Sequence, residues 1–259
     1  MRRVVFNQKG GVGKSTITCN LAAISAARGK RTLVIDLDTQ CNSSHYLLGD
    51  RAGEVELGAA EFFDQILNFK LTPRETSEFV TETGHPGLSI MTASPQLAEL
   101  ENKLESRYKI YKLREALEAL DQFDNIYIDT PPALNFYSRC ALIAAESVLI
   151  PFDCDDFSRK ALYTLIDNIE EIRSDHNEGL KLEGIVINQF QARSSLPVRV
   201  VQELRDEGLP VLEAALSSSV KVKESHEAAQ PLIHFAPAHK LTQEFTALYD
   251  LLDAGRPAP

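Results

Sequence analysis

Apolar residues fall in short runs separated by longer stretches of helical period. Val4, Val5 and Phe6 form the first run, and "RTLVIDLD" (31–38) and "GLSIMTAS" (87–94) follow. "NIYIDT" (125–130), "SVLIPF" (147–152) and "LEGIVINQF" (182–190) complete the set. Runs this short and this continuously apolar predict strands buried on both faces. Between them Ile17, Leu21 and Ile24 lie on one helical face that stops at Gly29, and a Leu-, Glu- and Lys-rich stretch predicts one long helix over roughly 95–120. Further helical patterns lie near 135–145, 157–174 and 197–207. The alternation predicts a single α/β domain over residues 1–253, a mostly parallel twisted sheet with helices on both faces. Residues 50–85 are the least regular and are expected to form helices beside the sheet, and 254–259 a disordered tail.

The 259 residues suffice for one large domain, and 44% hydrophobic content is ordinary for a globular chain. No apolar run reaches the roughly 18 residues of a membrane span, and the three-residue run after Arg2 and Arg3 is too short for a signal peptide. A cytoplasmic protein is therefore expected. Cys19, Cys41, Cys140 and Cys154 lack C-x-x-C spacing and read as reduced thiols. The net charge of −10 argues against a broadly basic surface, though not against a local basic patch.

The chemistry concentrates in "NQKGGVGKST" (7–16). A strand, a cluster of glycines (Gly10, Gly11, Gly13) and a helix start bring unpaired amides and the positive end of a helix dipole to one point, which suits a phosphate. Lys14 is placed to reach β- and γ-phosphates, and the Ser15 hydroxyl to ligate Mg²⁺. The strict pattern G-x-x-x-x-G-K-[ST] fails at its first position, where Gln8 stands. Acids end two strands. Asp129 suits a Mg²⁺ held partly through water, Asp38 suits orienting the attacking water, and Asp36 reads as structural.

These segments resemble the ParA/MinD family of deviant Walker ATPases. The likeness lies in "NQKGGVGKST", "LVIDLDTQCNSS", "IYIDTPPALN", "SVLIPFDCDDFSRKAL" and the block from "GIVINQFQARSSL" to "EAAQPLIHF". It covers nearly the whole chain, and "NQKGG" is similar to the partition branch, the short Soj-like members. The resemblance implies a P-loop fold and slow, partner-stimulated ATP hydrolysis with ATP and Mg²⁺. It implies nucleotide contacts from Lys9, Gly10, Gly11, Val12, Gly13, Lys14, Ser15, Thr16 and Asn188, with Ser15, Asp38 and Asp129 around the metal. Lys9, Lys14 and Asp38 are the catalytic set. Lys9 is expected to act across a homodimer on the partner's ATP, as an arginine finger does; its alternative is a solvated loop lysine. Asn188 is either an adenine contact or a cap on its strand.

"DLDTQCN" departs from the family's usual "DLDPQGN" at Thr39 and Cys41, which restricts the first switch segment. Non-specific DNA binding is implied through Arg193, Arg199, Lys221 and Lys223, although Ser218 stands where the family usually has a second arginine. The resemblance further implies nucleoid association, a ParB-like or cargo-adaptor protein that stimulates turnover, and a cargo that is a chromosome, plasmid or protein cluster. The apolar stripe Leu241, Phe245, Leu248 and Leu252 carries more acid than base, so core packing rather than membrane binding is expected. No helix-turn-helix segment precedes the first strand, so operator binding is not expected. Two other readings are a nucleotide-sensing module with little hydrolysis and no DNA binding, and a reductase or small-molecule ligase on the same scaffold.

Overall fold

The computed structural model describes residues 1–68, 71–154, 158–190 and 195–255. Seven strands form one sheet: β1 (Arg2–Val5), β2 (Thr32–Asp36), β3 (Thr81–Glu82), β4 (Leu88–Met91), β5 (Asn125–Asp129), β6 (Ser147–Asp153) and β7 (Lys181–Asn188). Their spatial order is β3-β4-β2-β5-β1-β6-β7, parallel throughout except for the short β3 against β4. β1 is central. The chain leaves it toward β2 on one side and later crosses over it from β5 to β6, which opens a crevice at the carboxyl ends of these strands.

Alternate residues of β1 explain why Val4, Val5 and Phe6 are all buried. Val4 and Phe6 face one layer, with α3 (Ala59–Leu67), α4 (Leu97–Ser106), α5 (Lys112–Glu118), α6 (Phe136–Ala144), α7 (Ser158–His176) and α8 (Ser195–Asp206). Val5 faces the other, with α1 (Lys14–Ala27), α2 (Asn42–Leu48), α9 (Lys221–Glu227), α10 (Leu232–Phe235) and α11 (Lys240–Ala254). α1 is buried on its outer side too, because α11 packs over it. Leu241, Phe245, Leu248 and Leu252 make that contact and are all buried, as their spacing predicts. α1 stops where expected: Gly29 adopts φ +80°, and its N–H and that of Lys30 bond back to the carbonyls of Ala26 and Ser25.

The single helix expected over 95–120 is two helices. Arg107 ends α4, and Tyr108 follows at φ +54°. From Leu104 to Leu113 an unbroken helix would rotate about 900°, placing Leu113 opposite Leu104. The break returns both to the core, where each is fully buried. Residues 50–85 hold α3 and two 3-10 turns, Gly49–Glu54 and Thr76–Phe79, but also β3, an antiparallel edge strand that periodicity did not reveal. α11 continues one residue past the expected boundary, to Ala254, and residues 256–259 of the expected tail lie outside the described residues. None of the four cysteines forms a disulfide, and all four are buried. No helix among the described residues is long and apolar enough to cross a membrane.

One charge is deep in the sheet. Arg3 is 1% exposed, and its guanidinium donates twice to Glu183 of β7 at 2.5 Å and to the Tyr127 hydroxyl of β5 at 3.2 Å. Burial by itself would lower its pKa, but the Glu183 hydrogen bonds and the neighbouring charges hold it above the ordinary value. Arg3→Ala therefore strands a largely buried carboxylate, and a loss of about 3–5 kcal/mol is expected. Urea unfolding checks this, and a loss under about 1 kcal/mol would show that Glu183 finds water instead.

Candidate nucleotide site

The loop after β1 is fixed from its neighbours. The Asn7 amide donates to the Pro151 carbonyl of β6 at 2.7 Å, and its oxygen accepts from the Lys9 N–H at 2.9 Å. Gly13, the residue before α1, sits at φ +88°, and a Cβ there would collide with the Asn188 amide. Only glycine satisfies both conditions. Asn188 donates to the Val12 carbonyl at 2.8 Å and Gln189 to the Gly11 carbonyl at 3.1 Å, so the end of β7 braces the loop. Asn188 is thus neither simply a strand cap nor aimed wholly outward. One of its two amide hydrogens is committed to the loop.

Gly10, Gly11, Gly13, Lys14, Ser15 and Thr16 line a cavity of about 390 Å³, together with Asp38, Gln40, Asn42, Pro132 and His226. Lys14 is 6% exposed, and its ammonium donates to the Lys9 carbonyl at 3.1 Å. Burial lowers its pKa, while the charges of Asp129 and Asp38 oppose that. Asp129 is fully buried at the end of β5 and accepts from the Ser43 hydroxyl at 2.7 Å. Burial pushes its pKa up; hydrogen bonds from Ser15 and Ser43 and the Lys14 charge pull it back. Asp36 accepts from the Ser44 N–H and hydroxyl at 2.9 and 2.7 Å and from the Asp38 N–H at 3.1 Å. It ties β2 to α2, the structural part expected of it. Burial and the Asp129 charge raise its pKa. Asp38, 6% exposed, accepts from the Gln40 N–H at 3.0 Å and faces the cavity.

The donor set fits Mg²⁺ bound together with a phosphate. Ser15 and Asp129 are hydrogen-bonded partners, with Asp38 nearby. No cluster of three or more His, Cys, Asp or Glu among the described residues makes a self-sufficient metal cage. Hard cations that keep phosphate and water ligands need no such cage.

Lys9 goes elsewhere. Its ammonium lies 3.9 Å from Asp153 at the end of β6, both side chains being about one-third exposed. Of the expected DNA cations, Arg193 lies outside the described residues. Arg199 on α8 pairs with Glu203 at 3.8 Å. Lys221 on α9 pairs with Glu224 at 2.5 Å and covers the Phe235 ring, and Lys223 is exposed two residues on. The structure thus distributes these cations over two helices, with acids beside two of them.

Sequence reasoning missed Gln40, Asn42, Ser43 and His226. The first three sit in the "DTQCNSS" segment, but Ser43 reaches Asp129 of β5 only because α2 packs against α1 and β2. His226 had no local signal at all, since it reaches the loop from 210 residues away.

A glycine loop between a central parallel strand and a buried helix, with lysine and serine at the helix start and an aspartate on the adjacent strand, defines a P-loop nucleotide-binding protein. The "AAA domain" family matches residues 3–182. The chromosome partitioning protein ParA of Caulobacter vibrioides is 31% identical over 259 residues, covering 98% of this chain and 89% of that protein. The sporulation initiation inhibitor protein Soj of Bacillus subtilis is 30% identical, covering 90% of each. Among solved structures, cobyrinic acid a,c-diamide synthase of Mycobacterium smegmatis, bound to an ATP analogue and magnesium, superposes with a TM-score of 0.80 at 27% identity, covering 100% of this chain and 98% of that one. The chain belongs to the ParA/MinD family of ATPases.

Proposed function

We propose that this protein is an ATP-driven dimerisation switch that partitions or positions a cargo, with non-specific DNA as its working surface. The observation that carries the reading is the division of labour between two lysines. Lys14 lies inside the phosphate cavity, whereas the Lys9 ammonium leaves it toward Asp153 on the outer rim. A lysine directed away from its own cavity supports a role toward a second subunit. Kinship with ParA and Soj, whose names record partitioning and sporulation control, supports the cargo assignment.

In this reading the loop amides and Lys14 bind the phosphates of ATP, and Ser15 and Asp129 hold Mg²⁺, Asp129 through water. The metal, when bound, neutralises charge on the β- and γ-phosphate oxygens. Asp38 orients the attacking water, and Asn188 contributes its amide oxygen toward the base. Hydrolysis is slow and is stimulated by a ParB-like or cargo-adaptor protein.

Retention on DNA tests the working-surface assignment. With ATP and Mg²⁺, binding is expected to fall steeply with salt, and Arg193→Glu with Lys221→Glu to weaken it without changing nucleotide affinity. Removing one cation from a DNA phosphate reduces the log–log salt slope by about 0.9. Absence of retention even at low salt would remove DNA from the proposal.

One feature favours a second reading, a nucleotide sensor that hydrolyses little. Cys41, where the family usually has glycine, sits at φ +56° just before α2, and its thiol is buried. A non-glycine residue there is strained by about 1–3 kcal/mol. Cys41→Gly relieves that strain but removes buried thiol and adds freedom to the unfolded chain, so stability is expected to shift by no more than about 1 kcal/mol. Turnover is the discriminating quantity. A rise in Cys41→Gly points to a restrained switch, and an unchanged rate removes the reason for the sensor reading.

A further inference from the structure

His226 lies on α9, yet it lines the same cavity as the glycine loop. Its Nε2 is 3.0 Å from the Thr16 hydroxyl on α1. Its ring lies flat on Tyr46 of α2, with centroids 3.7 Å apart and planes 13° from parallel. Tyr46 is itself fixed: its hydroxyl accepts from the Asn20 amide at 3.1 Å and lies 2.9 Å from the Ser225 hydroxyl. The Asn20 oxygen in turn accepts from the Leu232 N–H at 2.8 Å. The imidazole is therefore held on one face by an aromatic ring and at one edge by the hydroxyl. Such restraint exceeds what packing a surface helix needs.

The geometry points to His226 as a positioning residue for the bound nucleotide, acting through the Thr16 hydroxyl. This rests on the reading that the cavity takes ATP. Along α1 each residue turns about 100°, so Ser15 and Thr16 address different sides of the cavity. Ser15 bonds Asp129, on the metal side. Thr16 faces α9. A threonine hydroxyl has one hydrogen to donate. When the Nε2–H of His226 donates to Thr16 Oγ1, that hydrogen is directed into the cavity, toward a phosphate oxygen. Without the imidazole the hydroxyl rotates freely, and part of its population presents lone pairs to the anion. Burial lowers the His226 pKa to about 4, so the ring is neutral at pH 7, with one N–H and one lone pair. Because Lys14 attends the γ-phosphate end, the contact made through Thr16 belongs to the part of the nucleotide that ATP and ADP share.

The experiment uses the full chain with ATP and with ADP, each with Mg²⁺, and measures affinity, KM, kcat and melting temperature. His226→Phe keeps the ring on Tyr46 and removes the nitrogens. It is expected to weaken ATP and ADP by the same factor, about tenfold, and to raise KM equally while kcat stays within about twofold. His226→Gln, whose amide N–H lies near the place of Nε2, is expected to retain affinity. His226→Asn, whose amide lies near Nδ1, is expected to lose it. Thr16→Val is expected to match His226→Phe, with no further loss in the double variant.

Several outcomes overturn the assignment: wild-type affinity in His226→Phe, equal affinities in the Gln and Asn variants, or additive losses with Thr16→Val. A melting-temperature change with unchanged KM marks His226 as packing alone and also overturns it. If the phenylalanine variant does not fold, the Gln–Asn comparison decides. Failure of the wild-type protein to bind ATP refutes the proposed function instead, and the two failures are thereby distinct.

Discussion

Lys14→Ala is expected to abolish ATP binding in a titration where the wild-type protein is expected to give a saturable isotherm. The lysine is 6% exposed and shares its cavity with Asp38, while Asp129 is buried close enough to influence its charge. Two effects add. Phosphate oxygens lose a charged hydrogen-bond donor in a place that water barely reaches, where such bonds are strong. They also then face two aspartates whose negative charge Lys14 no longer offsets. Removing one partner from a buried ionic arrangement costs about 3–5 kcal/mol, a loss of roughly 10²- to 10³-fold or more in affinity. Folding is expected to survive, because the ammonium's hydrogen bond to the Lys9 carbonyl is a local one within the loop and α1 remains packed along both sides. Normal affinity in a folded Lys14→Ala protein would defeat the site assignment.

Mixing Lys9→Ala with Asp38→Ala is expected to restore part of the ATPase activity that each variant is expected to lack. Lys9→Ala removes the rim cation. Two ATP-loaded cavities facing one another bring dense like charge together, and the interface needs cations to hold it. Dimerisation and turnover are therefore expected to fall further than monomeric ATP affinity. Asp38→Ala is expected to retain ATP and to accumulate as a dimer, because the phosphate cradle is intact and the proposed water-orienting carboxylate is missing. In the heterodimer, one site keeps its own Asp38 and receives Lys9 from the other subunit. Activity near half of the wild-type value per heterodimer is the upper bound, with size analysis in ATP and Mg²⁺ to count heterodimers. If heterodimers form and no ratio recovers activity, or if Lys9→Ala alone dimerises and turns over normally, the role across the interface fails and Lys9 belongs with Asp153 in its own subunit.

Six of the seven strands described, the glycine loop and α1 were legible because their causes are local. Val4, Val5 and Phe6 announce a strand covered on both faces. Gly13 announces a backbone conformation that other residues resist, and Ile17, Leu21 and Ile24 carry the helical period. Asp38 and Asp129 were legible as acids at strand ends, where parallel sheets gather function. The long helix expected over 95–120 failed for an equally physical reason. Composition favours helix throughout, but only the core can decide that Leu104 and Leu113 must face the same way, and Tyr108 turns the chain so that they do.

By itself the sequence determined most of the strands and helices and the glycine loop expected to hold a phosphate, since propensity, period and glycine placement act over a few residues. The tertiary structure decided what completes the site. It brings Asn188 to the Val12 carbonyl, Asp153 to Lys9 and His226 to Thr16, across separations of 176, 144 and 210 residues. No local pattern encodes such contacts. They arise because the pairing of β6 with β7 in the sheet sets where Asp153 and Asn188 emerge, and the packing of α9 against α2 and α10 sets where His226 does.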